Sequence, residues 1–362
     1  MAFKSEHKRQ SVTKTTRAII RLDVWYDPAM QVIFNQYPNY ALTTIERDAD
    51  KHTVAVALAR AHAYQISSAK DETPLRWRAD AELLAQAPNL LCVSTSGSGY
   101  DTVDVEACTR AGVLVMSQAG ANARSVAEHT LGLMIGVSKR LAETDRRLRR
   151  ERGFTREEVM GREISGKTLG LVGLGHIGRR VAALARAFEM RVIACDPELN
   201  EATMAKRGAR KVSLDTLLAE SDHVSLHCPL NANTLNLIDA EAFHRMKPGA
   251  VFISTARGGI HSESALIDAI QSGRLAGAGI DVWDIEPPPL DHPMLSMPNV
   301  IATYHTAGVT HEARRNVATW AAEQIIYTLD GDVPPRLVNP AAWSKYAERY
   351  ERIFGFRPSE SE

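Results

Sequence analysis

At 362 residues the chain is too long for one small core, and about two domains are expected. Its 44% hydrophobic and 24% charged residues are ordinary for a soluble globular protein, and no apolar run reaches the roughly 18 residues of a membrane span. Lys plus Arg equals Asp plus Glu, 43 each, which gives no electrostatic case for nucleic acid or an anionic membrane. Cys92, Cys108, Cys195 and Cys228 show no C-x-x-C spacing. Cys92, Cys195 and Cys228 sit in or beside apolar runs, where reduced, buried thiols are expected. The first residues are polar and lack the apolar core of a secretion signal, so a cytoplasmic protein is expected.

Residues 1 to about 16 read as a frayed basic arm. Strands are expected at 17–24, 40–45, 63–66, 90–95 and 113–116, and helices at 28–37, 54–62, 79–87 and 103–111. Repeated β–α alternation implies a parallel sheet covered on both faces. At Ser125 a long helix opens, with Ser125 as N-cap and Glu128 closing a capping box. It continues into a charged stretch, Lys139 to Arg152, whose mixed signs read as a solvated helix face rather than a nucleic-acid patch.

The stretch Thr168 to Gly178 combines an apolar strand, the turn Gly173-Leu174-Gly175-His176-Ile177-Gly178, and a helix from Arg179 with Val181, Leu184, Ala185 and Phe188 at helical spacing. Strand, glycine turn and helix form the context in which G-x-G-x-x-G binds a dinucleotide. Gly173 serves the tight turn, Gly175 close approach to a pyrophosphate, and Gly178 helix–strand packing. A second strand over 190–195 ends at Asp196, 18 residues past Gly178, where a carboxylate accepts from ribose hydroxyls and repels a 2′-phosphate. NAD is therefore expected rather than NADP.

Further strands at 211–212, 224–227, 250–254, 277–281 and 300–303, with helices at 214–219, 262–272 and 312–330, complete the alternation. Arg257, Asp281, Glu286 and His305 fall at or after successive strand ends, where open α/β sheets bind ligands. Each alone has an ordinary reading as a surface cation, a loop acid or a satisfied histidine. As a set around a nicotinamide, they read as a reaction site.

Several ordered motifs resemble the D-isomer-specific 2-hydroxyacid dehydrogenases: Gly97-Ser-Gly-Tyr-Asp101, Asn122 to Glu128, the glycine turn, His227-Cys-Pro-Leu-Asn-Ala-Asn-Thr234, Ser254-Thr-Ala-Arg-Gly-Gly259, Gly279 to Pro287, and Thr303-Tyr-His-Thr-Ala-Gly308. The resemblance spans about residues 60 to 340. It implies two doubly wound parallel-sheet domains, flavodoxin-like and Rossmann, with a cleft between them. The substrate domain would take 1–122 plus 310–362, and the NAD domain 123–309.

In the implied roles His305 is the general acid or base, Glu286 hydrogen-bonds its ring and raises its pKa, and Arg257 holds and polarises the substrate. The implied cofactor contacts are Gly173, Gly175, His176, Ile177, Gly178, Asp196, Cys228, Pro229, Thr234, Thr255, Ala256, Asp281 and Gly308. Ser96, Gly97, Ser98 and Gly99 would join Arg257 around the substrate carboxylate. No metal is implied. A homodimer through the helix at Ser125 is implied, with a small 2-hydroxy or 2-oxo acid as substrate.

Three positions depart from the family pattern: Ser254 for Asn, His261-Ser-Glu263 for Val-Asp-Glu, and Tyr304 for Pro. Ser67 lies where phosphoglycerate-specific members resemble V-R-S, and no regulatory domain follows Pro340, so an unphosphorylated substrate is expected. A different reading is an NADH-sensing interaction protein like the C-terminal-binding corepressors, which share the Arg, Glu and His set. A third is oxidation of formate or phosphite on the same fold. Trp343, Tyr346, Tyr350 and Phe354 recur at helical spacing, expected to pack on their own subunit, with a role toward a neighbour as the sharper alternative.

Overall fold

The expected alternation is realised as two all-parallel sheets in the computed structural model, which describes residues 15–359. Most of the basic arm, residues 1–14, lies outside the described residues. The chain divides into one unit of Met1–Gln118 with Arg315–Glu362 and another of Ala119–Arg314.

The first unit begins β1 (Arg17–Leu22), α1 (Ala29–Phe34), β2 (Tyr40–Ile45), α2 (Lys51–Arg60), β3 (Ala63–Ile66), α3 (Ala81–Gln86), β4 (Cys92–Thr95), α4 (Val105–Ala111) and β5 (Leu114–Met116). Its strand order is β2-β1-β3-β4-β5, the flavodoxin-like order. Asp50, Asp80 and Asp104 start α2, α3 and α4 by accepting backbone N–H groups that the first turn leaves unpaired.

The second unit holds α5 (Ala123–Ser138), α6 (Leu141–Arg150), β6 (Thr168–Val172), α7 (Gly178–Ala187), β7 (Arg191–Cys195), α8 (Glu201–Lys206), β8 (Arg210–Lys211), α9 (Leu214–Glu220), β9 (His223–Leu226), α10 (Ala240–Arg245), β10 (Ala250–Ser254), α11 (Glu263–Gln271), β11 (Leu275–Ile280), α12 (Pro293–Ser296) and β12 (Val300–Ala302). The order β12-β11-β10-β9-β6-β7-β8 reverses direction between β6 and β9. That switch point is where doubly wound sheets open a crevice at their carboxyl ends. Strands β6, β9 and β10 are buried along their whole length, as a sheet covered on both faces requires.

The chain returns to the first unit within α13 (His311–Asp330) and ends in α14 (Trp343–Phe354). The aromatic stripe of α14 packs into its own unit: Tyr346, Tyr350 and Phe354 join Ile19, Cys92 and Ile325 in one apolar cluster. The phenol of Tyr350 donates to Leu329 O at 3.0 Å, and Arg17 lies over the Phe354 ring.

Two details differ from expectation. α5 starts at Ala123 with Asn122 as N-cap, and the Ser125 hydroxyl donates to Ala307 O at 2.6 Å instead of capping. The helix also does not run on to Arg152: it stops at Ser138, Arg140 turns left-handed at φ 53°, and α6 restarts the chain. In and beside α6 three of the cations are paired with carboxylates, Arg140 with Glu143, Arg147 with Glu151 and Glu158, and Arg149 with Asp145. Among the described residues no helix is long and apolar enough to cross a membrane.

Candidate active site

The glycine turn follows β6 at the switch point. Gly173 takes φ 94°, and a β-carbon there would sit 2.8 Å from the His227 carbonyl after β9. A β-carbon at Gly178 would meet Gly173 O at 2.3 Å, so the first turn of α7 lies directly on the turn. At Gly175 a β-carbon would meet nothing within 4 Å, leaving open space at the middle of the turn. α7 opens from Ile177 without a side-chain cap, as an anion-accepting helix start does. His176 lies against Gly120, and Arg179 donates to its Nδ1 at 3.2 Å.

Asp196, at the end of β7, accepts from Leu174 N–H at 2.9 Å through Oδ2 and from Glu198 N–H at 3.1 Å through Oδ1. Arg207, just past α8, donates to Leu174 O at 2.6 Å. Asp196, Arg207 and the glycine turn are thereby one hydrogen-bonded unit. Sequence reasoning missed Arg207, because α8 is too short to show a period.

After β9, Cys228 is half-buried, and burial pushes its thiol up to about 11. Thr234 donates to Pro229 O at 2.6 Å and accepts from Asn231 N–H at 2.8 Å, closing that loop.

The strand ends of β10, β11 and β12 gather the remaining residues. Thr255 and Ala256 are buried, with Thr255 Oγ1 3.1 Å from Thr130 Oγ1 of α5, and Arg257 donates to Ala256 O at 2.7 Å. A β-carbon on Gly258 would fall 2.0 Å from Trp283 O, so the arginine loop and the segment after β11 touch backbone to backbone. Asp281 is fully buried. Its Oδ1 accepts from Thr303 Oγ1 at 2.6 Å and Thr306 N–H at 2.8 Å, and its Oδ2 accepts from Ala307 N–H at 2.9 Å. Gly308 follows, packed on Asn122.

His305 N–H donates to Asp281 O at 2.7 Å, and the residue takes φ 45°, a left-handed conformation that a non-glycine residue holds only under local constraint. Its Nδ1 lies 2.9 Å from Glu286 Oε2, while Glu286 Oε1 accepts Trp283 N–H at 3.1 Å. A carboxylate that accepts at both oxygens puts the imidazole proton on Nδ1 and leaves Nε2 for a reactant. With its side chain 36% exposed, His305 is open to one. Thr303, the first residue of the histidine motif, donates to Asp281, and His129, which carried no motif of its own, has Nε2 3.1 Å from Thr303 Oγ1.

Ser96 to Gly99 belong to the first unit, after β4. Ser96 Oγ accepts Ser68 N–H at 3.2 Å, and Gly97 O accepts Gln118 N–H at 2.7 Å. Neighbouring Ser67 is buried and donates to Glu72 Oε2 at 2.5 Å.

Residues 131–307 match the family described as D-isomer specific 2-hydroxyacid dehydrogenase, NAD binding domain. A glyoxylate reductase of Aeropyrum pernix is 37% identical over 273 residues, 74% of this chain and 82% of that protein. The chain belongs to the D-isomer-specific 2-hydroxyacid dehydrogenases. Residues 131–307 are its NAD-binding domain, and its cofactor is NAD. The crystal structure of a glyoxylate reductase from Paecilomyes thermophila superposes with a TM-score of 0.79 at 28% identity, covering 90% of this chain and 99% of that one. A D-3-phosphoglycerate dehydrogenase of Archaeoglobus fulgidus is 39% identical over 254 residues, 70% of this chain but 48% of that protein. The chain thus spans about half the length of the phosphoglycerate dehydrogenases it matches.

Against the family pattern, Ser254 is buried with its hydroxyl unpartnered among the described residues. His261 is also buried, and neither ring nitrogen has a partner among them. Tyr304, beside His305, is 47% exposed.

Proposed function

We propose that this family member transfers a hydride between NAD and C2 of a small, unphosphorylated D-2-hydroxy or 2-oxo acid. The observation that carries the reading is the Glu286–His305 pair, 2.9 Å apart and next to the arginine loop on the strand ends of an NAD-binding sheet. The turn fits the cofactor: Gly175 leaves the space a pyrophosphate takes, α7 offers an uncapped N-terminus, and Asp196 stands on the ribose side. His176, Ile177, Cys228, Pro229, Thr234, Thr255, Ala256 and Gly308 would line the same crevice. Asp281, buried with both carboxylate oxygens hydrogen-bonded, is assigned to holding the loop on the carboxamide side of the nicotinamide. When bound, the nicotinamide supplies or takes up the hydride.

The chain's own residues do the rest. Arg257 pairs with the substrate carboxylate and polarises the 2-oxo group, a task suited to a planar guanidinium fork. His305 Nε2 gives a proton to the oxygen that becomes the hydroxyl, or removes it in the reverse direction. Glu286 holds the ring with Nδ1 protonated and balances the imidazolium charge. Ser96 to Gly99 are assigned to the substrate carboxylate. Ser67, with its hydroxyl given to Glu72, supplies no cation for a phosphate, which supports an unphosphorylated substrate.

We extend the proposal to a homodimer, supported by exposed Leu141 and Leu148 on α6 and Met160 after it. Light scattering that finds a monomer at micromolar concentration would remove that part.

Oxidation of NADH over a panel of glyoxylate, pyruvate, hydroxypyruvate and phosphohydroxypyruvate tests the reading. Turnover of an unphosphorylated acid is expected, falling by about a hundredfold or more in Arg257→Ala and in His305→Ala. Preference for phosphohydroxypyruvate would overturn the substrate class. Tight NADH binding with no turnover on any acid would overturn the enzyme reading.

A further inference from the structure

A second cluster of titratable side chains lies beside the Glu286–His305 pair and is not used by the chemistry above: Asp284, Glu263 and His292. Glu263 is the first residue of α11, directly behind the Ser262 cap. His292 caps α12, its Nδ1 accepting Met294 N–H at 3.3 Å. That bond fixes the tautomer: the imidazole proton sits on Nε2, which donates to Glu263 Oε2 at 3.1 Å. The other carboxylate oxygen of Glu263 accepts Asp284 N–H at 2.8 Å. Asp284 Oδ1 in turn accepts Gly259 N–H at 2.7 Å. The His292 and Glu263 side chains are 11% and 15% exposed, so the bond between them is shielded from competing water, whereas Asp284 itself is exposed. Trp283 closes the group, its ring edge-on to His292 and its indole N–H donating to Thr303 O at 3.0 Å.

The result is a chain of contacts from α12 through α11 to the segment 281–287 and on to the arginine loop. Glu286 sits two residues after Asp284, and Arg257 two residues before Gly259. The backbone at Gly258-Gly259 has no side chains of its own to stiffen it, and Gly259 takes φ 79°. A charge-assisted bond from Asp284 is therefore a direct tie between the loop bearing the guanidinium and the segment bearing the carboxylate partner of His305. Burial, followed by the charge of Glu263, pushes the Asp284 carboxyl above its ordinary value, and the Gly259 N–H bond works against that rise.

We propose that Asp284, braced by Glu263 and His292, is a positioning residue that holds the arginine loop in register with Glu286 and thereby sets affinity for the 2-oxo acid. The inference rests on the functional reading above. Displacing Arg257 weakens a contact made to the bound acid, whereas Glu286 and His305 keep their own bond. The loss thus falls more on KM than on kcat.

The test compares Asp284→Ala with Asp284→Asn, whose amide oxygen can still accept from Gly259. Two readouts are taken on the full chain with NADH: hydrogen–deuterium exchange of residues 255–262, and steady-state kinetics on the best unphosphorylated 2-oxo acid. In Asp284→Ala, faster exchange and a KM raised by about tenfold are expected, with kcat within about threefold; Asp284→Asn returns both toward the starting values. If Asp284→Ala does not fold, Asp284→Ser, with a side chain too short for the bond, carries the same expectation. Unchanged KM in a variant that turns over normally would overturn the proposal. So would a fall in kcat alone, or no recovery in a folded Asp284→Asn. Absence of turnover by the unsubstituted enzyme on every 2-oxo acid would instead overturn the functional reading, whatever the exchange pattern.

Discussion

The imidazole of His305 is held by Glu286, while its backbone is held by Asp281, whose carbonyl takes the His305 N–H and whose carboxylate takes Thr303, Thr306 and Ala307. The two acids should therefore fail differently. Glu286→Gln is expected to lower kcat by about ten- to a hundredfold with little change in melting temperature, since the ring loses a charge but the loop keeps its donors satisfied. Asp281→Ala strands buried donors and should cost stability, by about 3 kcal/mol in urea melts. His261 makes the opposite point. Its imidazole is buried against Phe252 with neither nitrogen partnered among the described residues, so His261→Val should raise stability by about 1 kcal/mol or more. Arg257, Glu286 and His305 were legible in the sequence because each follows a strand end within a recognisable motif. Arg207, His129 and Asp284 were not, because they act through hydrogen bonds to backbone or side chains distant in sequence, which no local spacing encodes.

Among the elements, strands with β-branched or continuous apolar runs were readable to within about two residues: β2 and β3 occupy the expected positions, while β1, β4 and β11 shift by two residues at one end. Short helices were readable only in part: α1 and α3, six residues each, fall inside expected helices, whereas α8, α10 and α12, of six, six and four residues, were not anticipated. Ser125 with Glu128 has the spacing of a capping box, yet the carbonyl of Ala307 claims the hydroxyl, so a tertiary contact displaced a local one. The break at Arg140 is a left-handed residue that no composition rule marks. α14 was readable as an apolar stripe, and its packing shows what the stripe is for. Tyr350→Ala should cost about 3–5 kcal/mol, because it removes a fully buried ring; Leu329 O keeps the Arg17 Nε–H as its donor. A chemical-denaturation midpoint unchanged by that substitution would contradict the assignment of α14 to the core of the first unit.

At the scale of the whole molecule, equal numbers of acids and bases leave no large net field, so the acid response depends on individual buried groups. In the second unit burial lowers His223 to about 4, His227 to about 3 and His261 to about 4. Each is neutral when folded and takes up a proton more readily when unfolded. Stability from this source is full above about pH 6.5 and is lost progressively as the pH falls through about 4. Denaturation midpoints should accordingly drop between pH 7 and pH 5, and less steeply in His261→Val than in the unsubstituted chain. The arrangement of two doubly wound parallel sheets was legible from β–α alternation and the glycine turn, and family membership then placed the NAD domain at 131–307. What alternation could not supply is the identity of the substrate under the proposed reading. The most direct measurement is label transfer: NADH dideuterated at the nicotinamide C4 is mixed with glyoxylate or pyruvate, and the product is read by mass spectrometry. One deuterium at C2 of the hydroxy acid is predicted with the unsubstituted chain, and a product signal reduced by at least about a hundredfold with His305→Ala. NADH consumed without deuterium reaching C2 of any acid offered, or equal transfer in His305→Ala, would contradict the account.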